Sequence, residues 1–284
     1  MTDTVQAFPL ATLLAQHPVA WWLVGMAAGS LLALGGLAAL GALRRSGKRW
    51  WPATLDPMQA RWVLVGAMAA SACALLLGGT VMAELAESWR DDSTRGWGAF
   101  DDAVAVGLQA GASMAALQLF ATLTHLGDKW TLSAVAVGVA AALWLRQHRL
   151  LAIGWLVALA GNGFLTRVLK SLFERVRPEH VHGVATADGY SFPSGHTSAS
   201  MVAFTMLAYL ATRLLQPRWH VPVAIAAGAA IFTTGWSRVV LQVHYVSDVL
   251  AGWVLGGVWA LCTVLIMESI SHWRHAARTM PATD

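Results

Sequence analysis

Two uncharged runs, Val19 to Leu43 and Trp62 to Ala83, constrain this chain more than any other feature. A hydrocarbon core about 30 Å thick takes about 20 apolar residues to cross as a helix, and inside it every backbone N–H and C=O must find its partner within the protein. Helices meet that demand segment by segment, so the two runs predict at least two transmembrane helices. Composition carries the argument to the whole chain: 57% of the 284 residues are hydrophobic and 12% are charged, against about 25% charged in a soluble domain. The expected fold is all-α, a polytopic membrane helical bundle of about seven transmembrane helices with interfacial helices on the extracytoplasmic side.

The seven expected spans are Val19 to Leu43, Trp62 to Ala83, Trp130 to Leu145, Leu150 to Leu169, His196 to Leu215, Val221 to Trp236 and Tyr245 to Met267. With seven crossings, four basic groups fall on one face: Arg44, Arg45, Lys48, Arg49 and Arg61, then Arg146 and Arg149, then Arg213 and Arg218, then Arg274 and Arg278. Cytoplasmic loops are enriched in Lys and Arg, so that face is the cytoplasm. Lys170 to Gly195 and Ser237 to His244 then lie outside, on the extracytoplasmic face. Ala103 to Gly127 is also long and uncharged, but a span there would break this parity, and it carries Gln109, Ser113, Gln118, Thr122, Thr124 and His125. It is expected to form one or two helices in the outer interface. The first 18 residues hold no Lys or Arg, so Val19 to Leu43 is expected to be a retained helix rather than a cleaved signal. Residues 1–61 add this helix and a basic cytoplasmic loop to a membrane domain over 62–284, with a core at about 100–267. The net charge of +4 is dispersed among loops and does not point to a nucleic-acid partner. Cys73 and Cys262 lie in apolar runs and read as small core residues.

Ionisable residues at membrane depth are costly, so those bordering the spans ask for a reason. Three clusters stand out. Lys170 and Arg177 are seven positions apart and, at about 100° per residue, share a helical face; Pro178 makes continued helix unlikely. Pro193-Ser194-Gly195-His196 precedes an apolar run and reads as a helix start. There Ser194 can cap, Gly195 admits close backbone approach, the first-turn N–H groups can hold an anion, and His196 can exchange a proton. Ser237 and Arg238 are followed by His244 and Asp248, four apart and on one face. The carboxylate can hold the proton on one imidazole nitrogen and leave the other as a nucleophile. Together these residues make a phosphate-binding and phosphoryl-transfer set without the spacing of a metal site.

This pattern resembles the three-part signature of the type 2 phosphatidic acid phosphatase family, membrane relatives of vanadium haloperoxidases and bacterial acid phosphatases. Lys170, Arg177 and Pro178 match its first part, Pro193 to His196 its second, and Ser237, Arg238, His244 and Asp248 its third. The resemblance implies that Lys170, Arg177 and Arg238 bind phosphate oxygens, aided by Ser194 and the Gly195 backbone. It implies that His244 attacks phosphorus, that Asp248 orients it, and that His196 protonates the leaving oxygen and then serves as base for water. It further implies a metal-independent lipid phosphatase with no cofactor, whose partners are the bilayer and its lipid substrate. Undecaprenyl diphosphate, phosphatidic acid, phosphatidylglycerophosphate and a lipid A phosphate are the candidate substrates.

Other readings stand beside these. A membrane protein that binds or flips anionic lipids would need the cations but no nucleophile, and vanadate-dependent halide oxidation is a rival within the fold. His180 and His182 read as a solvated loop, Glu174 with Arg175 as a surface ion pair or as groups tuning access, and Asn162 and Arg167 as helix-packing or interfacial groups.

Overall fold

The computed structural model describes residues 8–50, 57–90, 96–179 and 183–278. His180 and His182 lie outside the described residues. The described chain is helical, with ten α-helices and two 3-10 turns: α1 Pro9–Gln16, α2 Pro18–Trp50, α3 Pro57–Arg90, α4 Trp97–Gly111, α5 Met114–Leu123, α6 Lys129–Leu145, α7 Arg149–Phe173, α8 Gly195–Leu214, α9 His220–Val240 and α10 Val246–Arg278. Proline opens α1, α2 and α3, where its missing N–H costs no intrahelical bond. Ser113 caps α5 by accepting from Ala116 N at 3.2 Å, and Asp128 caps α6 by accepting from Trp130 N at 3.0 Å.

The seven expected spans coincide in order with α2, α3, α6, α7, α8, α9 and α10. Six stretches are long and apolar enough to cross a membrane: Pro18–Ala42, Arg61–Trp89, Met114–Leu145, Arg149–Phe173, Pro217–Val240 and Val246–Arg274. The third joins α5 and α6 through the 3-10 turn Thr124–Gly127 and Asp128, and only α6 matches an expected span. The 20-residue α8 falls outside this set because His196, Arg213 and its Ser and Thr residues lower its apolarity. Ala103 to Gly127 breaks at Ala112 and Ser113 into α4 and α5. At 1.5 Å per residue these are roughly 22 and 15 Å long, too short to cross singly.

Large apolar side chains turn outward along the bundle, among them Leu32 at 78% and Leu76 at 70% exposure. In water that display would be costly, whereas against lipid tails it is the ordinary surface. The chain is a multi-pass membrane protein. Helix α8 sits inside, packed on α7, α9 and α10, while α2 lies along α9 and α3 along α10. Small residues let these backbones approach. A Cβ on Gly29 would fall 2.7 Å from the Gly228 carbonyl oxygen, and one on Gly256 would fall 2.6 Å from the Ser198 carbonyl oxygen. Cys262 is buried in α10, but Cys73 is exposed on α3, so only one of the two belongs to the core.

Candidate active site

The three clusters meet at one end of the bundle, because helices of alternating direction bring the end of α7, the start of α8, the end of α9 and the start of α10 together. The turns holding Arg146, Arg149 and Arg218 lie at the opposite end. A left-handed residue, Glu174 at φ 49°, terminates α7 and turns the chain into a loop that runs to α8.

His244 lies in the turn between α9 and α10 and is 3% exposed. Its Nδ1 stands 3.2 Å from Asp248 Oδ2, one helical turn on. Its Nε2 stands 3.1 Å from Arg177 Nη1. A guanidinium has no acceptor, so Nε2 must carry the lone pair and Nδ1 the proton, which it donates to Asp248. Burial pushes the imidazole down to about 3, with the Arg177 and Arg238 charges adding and the Asp248 hydrogen bond and charge opposing. The ring is neutral at ordinary pH, with its free nitrogen turned toward the cations.

Lys170 and Arg177 converge, but not on a shared helical face as their spacing suggested: α7 ends at Phe173, the left-handed Glu174 turns the chain, and Arg177 comes back from the loop. Both donate to the Tyr190 carbonyl. Lys170 Nζ also reaches Ser191 O at 3.1 Å, and Arg177 reaches Asp188 O, Gly189 O and Val243 O at 3.0, 2.9 and 2.7 Å. Carbonyl oxygens thus occupy donors that an anion would otherwise take. Arg238 is buried, donates from Nη1 to Thr124 Oγ1 at 2.9 Å, and has no partner for Nε. Its carbonyl accepts the N–H groups of Val243 and His244, both at 3.2 Å, which ties the His244 turn to α9.

Ser194 takes the N-cap position of α8, but its hydroxyl makes no capping bond; it accepts instead from Thr197 Oγ1 at 2.9 Å. The first-turn N–H groups therefore lack the side-chain partner expected for them. The Ser194 N–H donates to the Asp248 carbonyl at 3.0 Å, joining the second cluster to the third. A Cβ on Gly195 would meet Thr166 Cγ2 and Lys170 Cε only at 3.6 and 4.0 Å, so internal packing does not demand glycine there. His196 is half-buried, with its carbonyl and Cβ against Gly127 and its ring in the field of Arg238, Asp128 and Arg177. Among the described residues no hydrogen bond joins it to His244.

A family model for the PAP2 superfamily matches residues 151–271. Phosphatidylglycerophosphatase B of Bacillus subtilis is 33% identical over 136 residues, 47% of this chain and 66% of that protein. Lipid A 1-phosphatase of Rhizobium etli is 33% identical over 42% of this chain and 55% of its own length. Decaprenylphosphoryl-5-phosphoribose phosphatase of Mycobacterium tuberculosis is 31% identical over 166 residues, 55% of this chain and 81% of that protein. The chain belongs to the PAP2 superfamily. The crystal structure of a transmembrane PAP2 type phosphatidylglycerolphosphate phosphatase from Bacillus subtilis shares the fold, with a TM-score of 0.60 and 24% identity over 74% of this chain and 98% of that one.

Reading the sequence of this PAP2 chain placed the cations and histidines at one end but missed what stands behind them. Arg175 is not in a surface ion pair. It is 5% exposed and reaches Asp248 Oδ1 at 2.7 Å and Asp101 Oδ2 at 2.9 Å. Glu174 stays outside and accepts from the Tyr190 hydroxyl at 2.9 Å. Ser191 and Ser247 were also overlooked, and Thr124, read only as a polar residue of an interfacial helix, accepts from Arg238. Ser191 donates to Asp248 Oδ2, and Ser247 donates its N–H to Asp101 Oδ1 at 3.1 Å. No local spacing announces such contacts. Asn162 is buried and donates to Ser198 Oγ at 3.3 Å, a helix-packing role.

Proposed function

We propose that this chain is an integral membrane phosphatase that hydrolyses a lipid phosphate or diphosphate through a phosphohistidine on His244. The observation that carries the reading is the orientation of His244, with Nδ1 on Asp248 and the lone pair of Nε2 aimed at Arg177. That arrangement is a neutral imidazole nucleophile facing a cation where a phosphoryl oxygen would sit. The three relatives support a lipid substrate, being a phosphatidylglycerophosphatase, a lipid A 1-phosphatase and a decaprenylphosphoryl-5-phosphoribose phosphatase.

In the first step Nε2 bonds to phosphorus as the bond from phosphorus to the lipid oxygen breaks, and His196 gives that oxygen its proton. Lys170, Arg177, Arg238 and the Ser194–Gly195 backbone hold the remaining phosphoryl oxygens. Asp248 stabilises the positive charge that develops on the imidazole. In the second step water attacks phosphorus, His196 takes back a proton, and the bond from phosphorus to Nε2 breaks to release inorganic phosphate. His196 sits among cations, so the phosphate's own negative charge favours its protonation once substrate is bound. Substrate must also displace the carbonyls of residues 188–191 from Arg177 and Lys170.

The Lys and Arg distribution supports a site on the extracytoplasmic face, and the bacterial relatives support a bacterial plasma membrane. Purified protein in detergent with a chelator present is expected to release phosphate from one or more of undecaprenyl diphosphate, phosphatidic acid, phosphatidylglycerophosphate and lipid A, and His244→Ala is expected not to. Release that persists in His244→Ala overturns the mechanism. No release from any of the four favours a lipid-binding or flipping protein.

A further inference from the structure

We propose that Arg175 is a positioning residue for Asp248, and that Asp101 in turn fixes Arg175. The inference rests on the reading of His244 as nucleophile and extends it to two residues that no signature motif contains. Asp248 uses its two oxygens differently. Oδ2 gathers His244 Nδ1 at 3.2 Å, the Tyr245 N–H at 2.9 Å and the Ser191 hydroxyl, while Oδ1 takes Arg175 Nη1 at 2.7 Å. A carboxylate held on only one edge is free to swing, and one held on both is not. Arg175 therefore sets the angle at which Oδ2 meets the imidazole, and so which nitrogen keeps the proton.

The surroundings of Arg175 suit that task and no other in the proposed reaction. Nη2 reaches Asp101 Oδ2 at 2.9 Å, and Nη1 also donates to Ser247 Oγ at 2.6 Å. Ser247 returns to Asp101 through its hydroxyl and its N–H, which closes a ring of hydrogen bonds among Arg175, Ser247 and Asp101. Trp89 and Tyr245 lie against the guanidinium, 4.9 and 4.2 Å from their ring centroids. Every direction open to the cation is filled by protein, whereas Lys170 and Arg177 face the loop that a substrate would displace. Arginine is required because its planar fork spans two carboxylates in fixed geometry, which an ammonium does not. The contact also makes α4, a short helix outside the crossings, part of the site.

The test is steady-state kinetics of Arg175→Gln, Arg175→Lys and His244→Ala in the full chain, with folding followed by thermal midpoint and size exclusion in detergent. Arg175→Gln is expected to lower kcat by about 10²-fold with KM within about threefold, because the phosphate cations remain. Arg175→Lys should recover about tenfold of that loss by keeping the charge. In an Asp248→Asn background the Gln substitution should cost less than about threefold more, since its effect passes through the carboxylate. A kcat within about threefold of wild type, a loss carried by KM, or full multiplication of the two losses overturns the inference. If Arg175→Gln does not fold, Arg175→Lys decides: a kcat about tenfold below wild type supports the inference and one within about twofold overturns it. Activity surviving in His244→Ala removes the underlying reading instead, so the two failures are distinct.

Discussion

Nη1 of Arg177 donates to Nε2 of His244 across 3.1 Å, and this one contact assigns the tautomer of the histidine. The cation and the nucleophile proposed for the reaction are therefore adjacent in the structure.

Because Arg177 covers Nε2, Arg177→Ala should cost more than a remote surface charge does. Removing one donor aimed at developing transition-state charge lowers kcat by roughly 10²- to 10³-fold. Initial rates on the preferred lipid check this. A loss under about fivefold would place the phosphate away from Nε2.

Asp248→Asn should remove the acceptor that holds Nδ1–H. If the amide NH₂ turns toward Nδ1, the proton moves to Nε2 and the lone pair is lost, so kcat should fall by roughly 10²- to 10⁴-fold while KM changes little. Trapping of labelled phosphoenzyme after acid-free quench should show the same loss. Unchanged labelling would remove Asp248 from the mechanism.

Burial of neutral His244 gives stability a definite pH dependence. The folded imidazole is pushed down to about 3, while an unfolded one titrates near 6.5. Between those values the unfolded chain binds a proton that the folded chain does not, so stability present above 6.5 is lost progressively as pH falls toward 3. The slope approaches about 1.4 kcal/mol per pH unit from this group. His244→Gln should therefore lose less of its thermal midpoint than wild type between pH 7 and pH 5. Equal losses in the two proteins would contradict the burial.

Helix α2 is held to α9 by a backbone crossing. A Cβ on Gly228 would lie 2.3 Å from the Gly29 carbonyl oxygen, which neither backbone can accommodate without separating. Gly228→Val should lower stability by about 2 kcal/mol, read as a fall in the thermal midpoint in detergent. Trp22 and Trp236 reinforce the contact by donating to Thr233 Oγ1 and the Pro18 carbonyl, both at 2.9 Å. A midpoint unchanged by the valine would show that the two helices do not meet at this pair of glycines.

Much of the candidate site is legible in the sequence because its residues are related by short spacings. His244 and Asp248 are four apart at a helix start, and His196 follows a helix cap. The same holds for the spans, since lipid forces each apolar run of sufficient length to pair its backbone within itself. The all-helical class, most of the membrane-crossing helices and the candidate cations and histidines follow from those local rules.

Other features depend on closure between distant segments, about which spacing says nothing. Arg175 reaches Asp101 across 74 positions, Ser247 reaches Asp101 across 146, and Trp22 reaches Thr233 across 211. From the sequence alone Arg175 lay between Lys170 and Arg177 and read, with Glu174, as a surface ion pair or a group tuning access. Tertiary structure turned it inward, because a buried guanidinium flanked by two carboxylates and two aromatic rings is compensated only when α3, α4 and α10 are all in place. It likewise decided which cation meets Nε2. The local chain determined what each segment can be, and packing determined which groups touch, since only the folded bundle sets the distances on which electrostatics and hydrogen bonding depend.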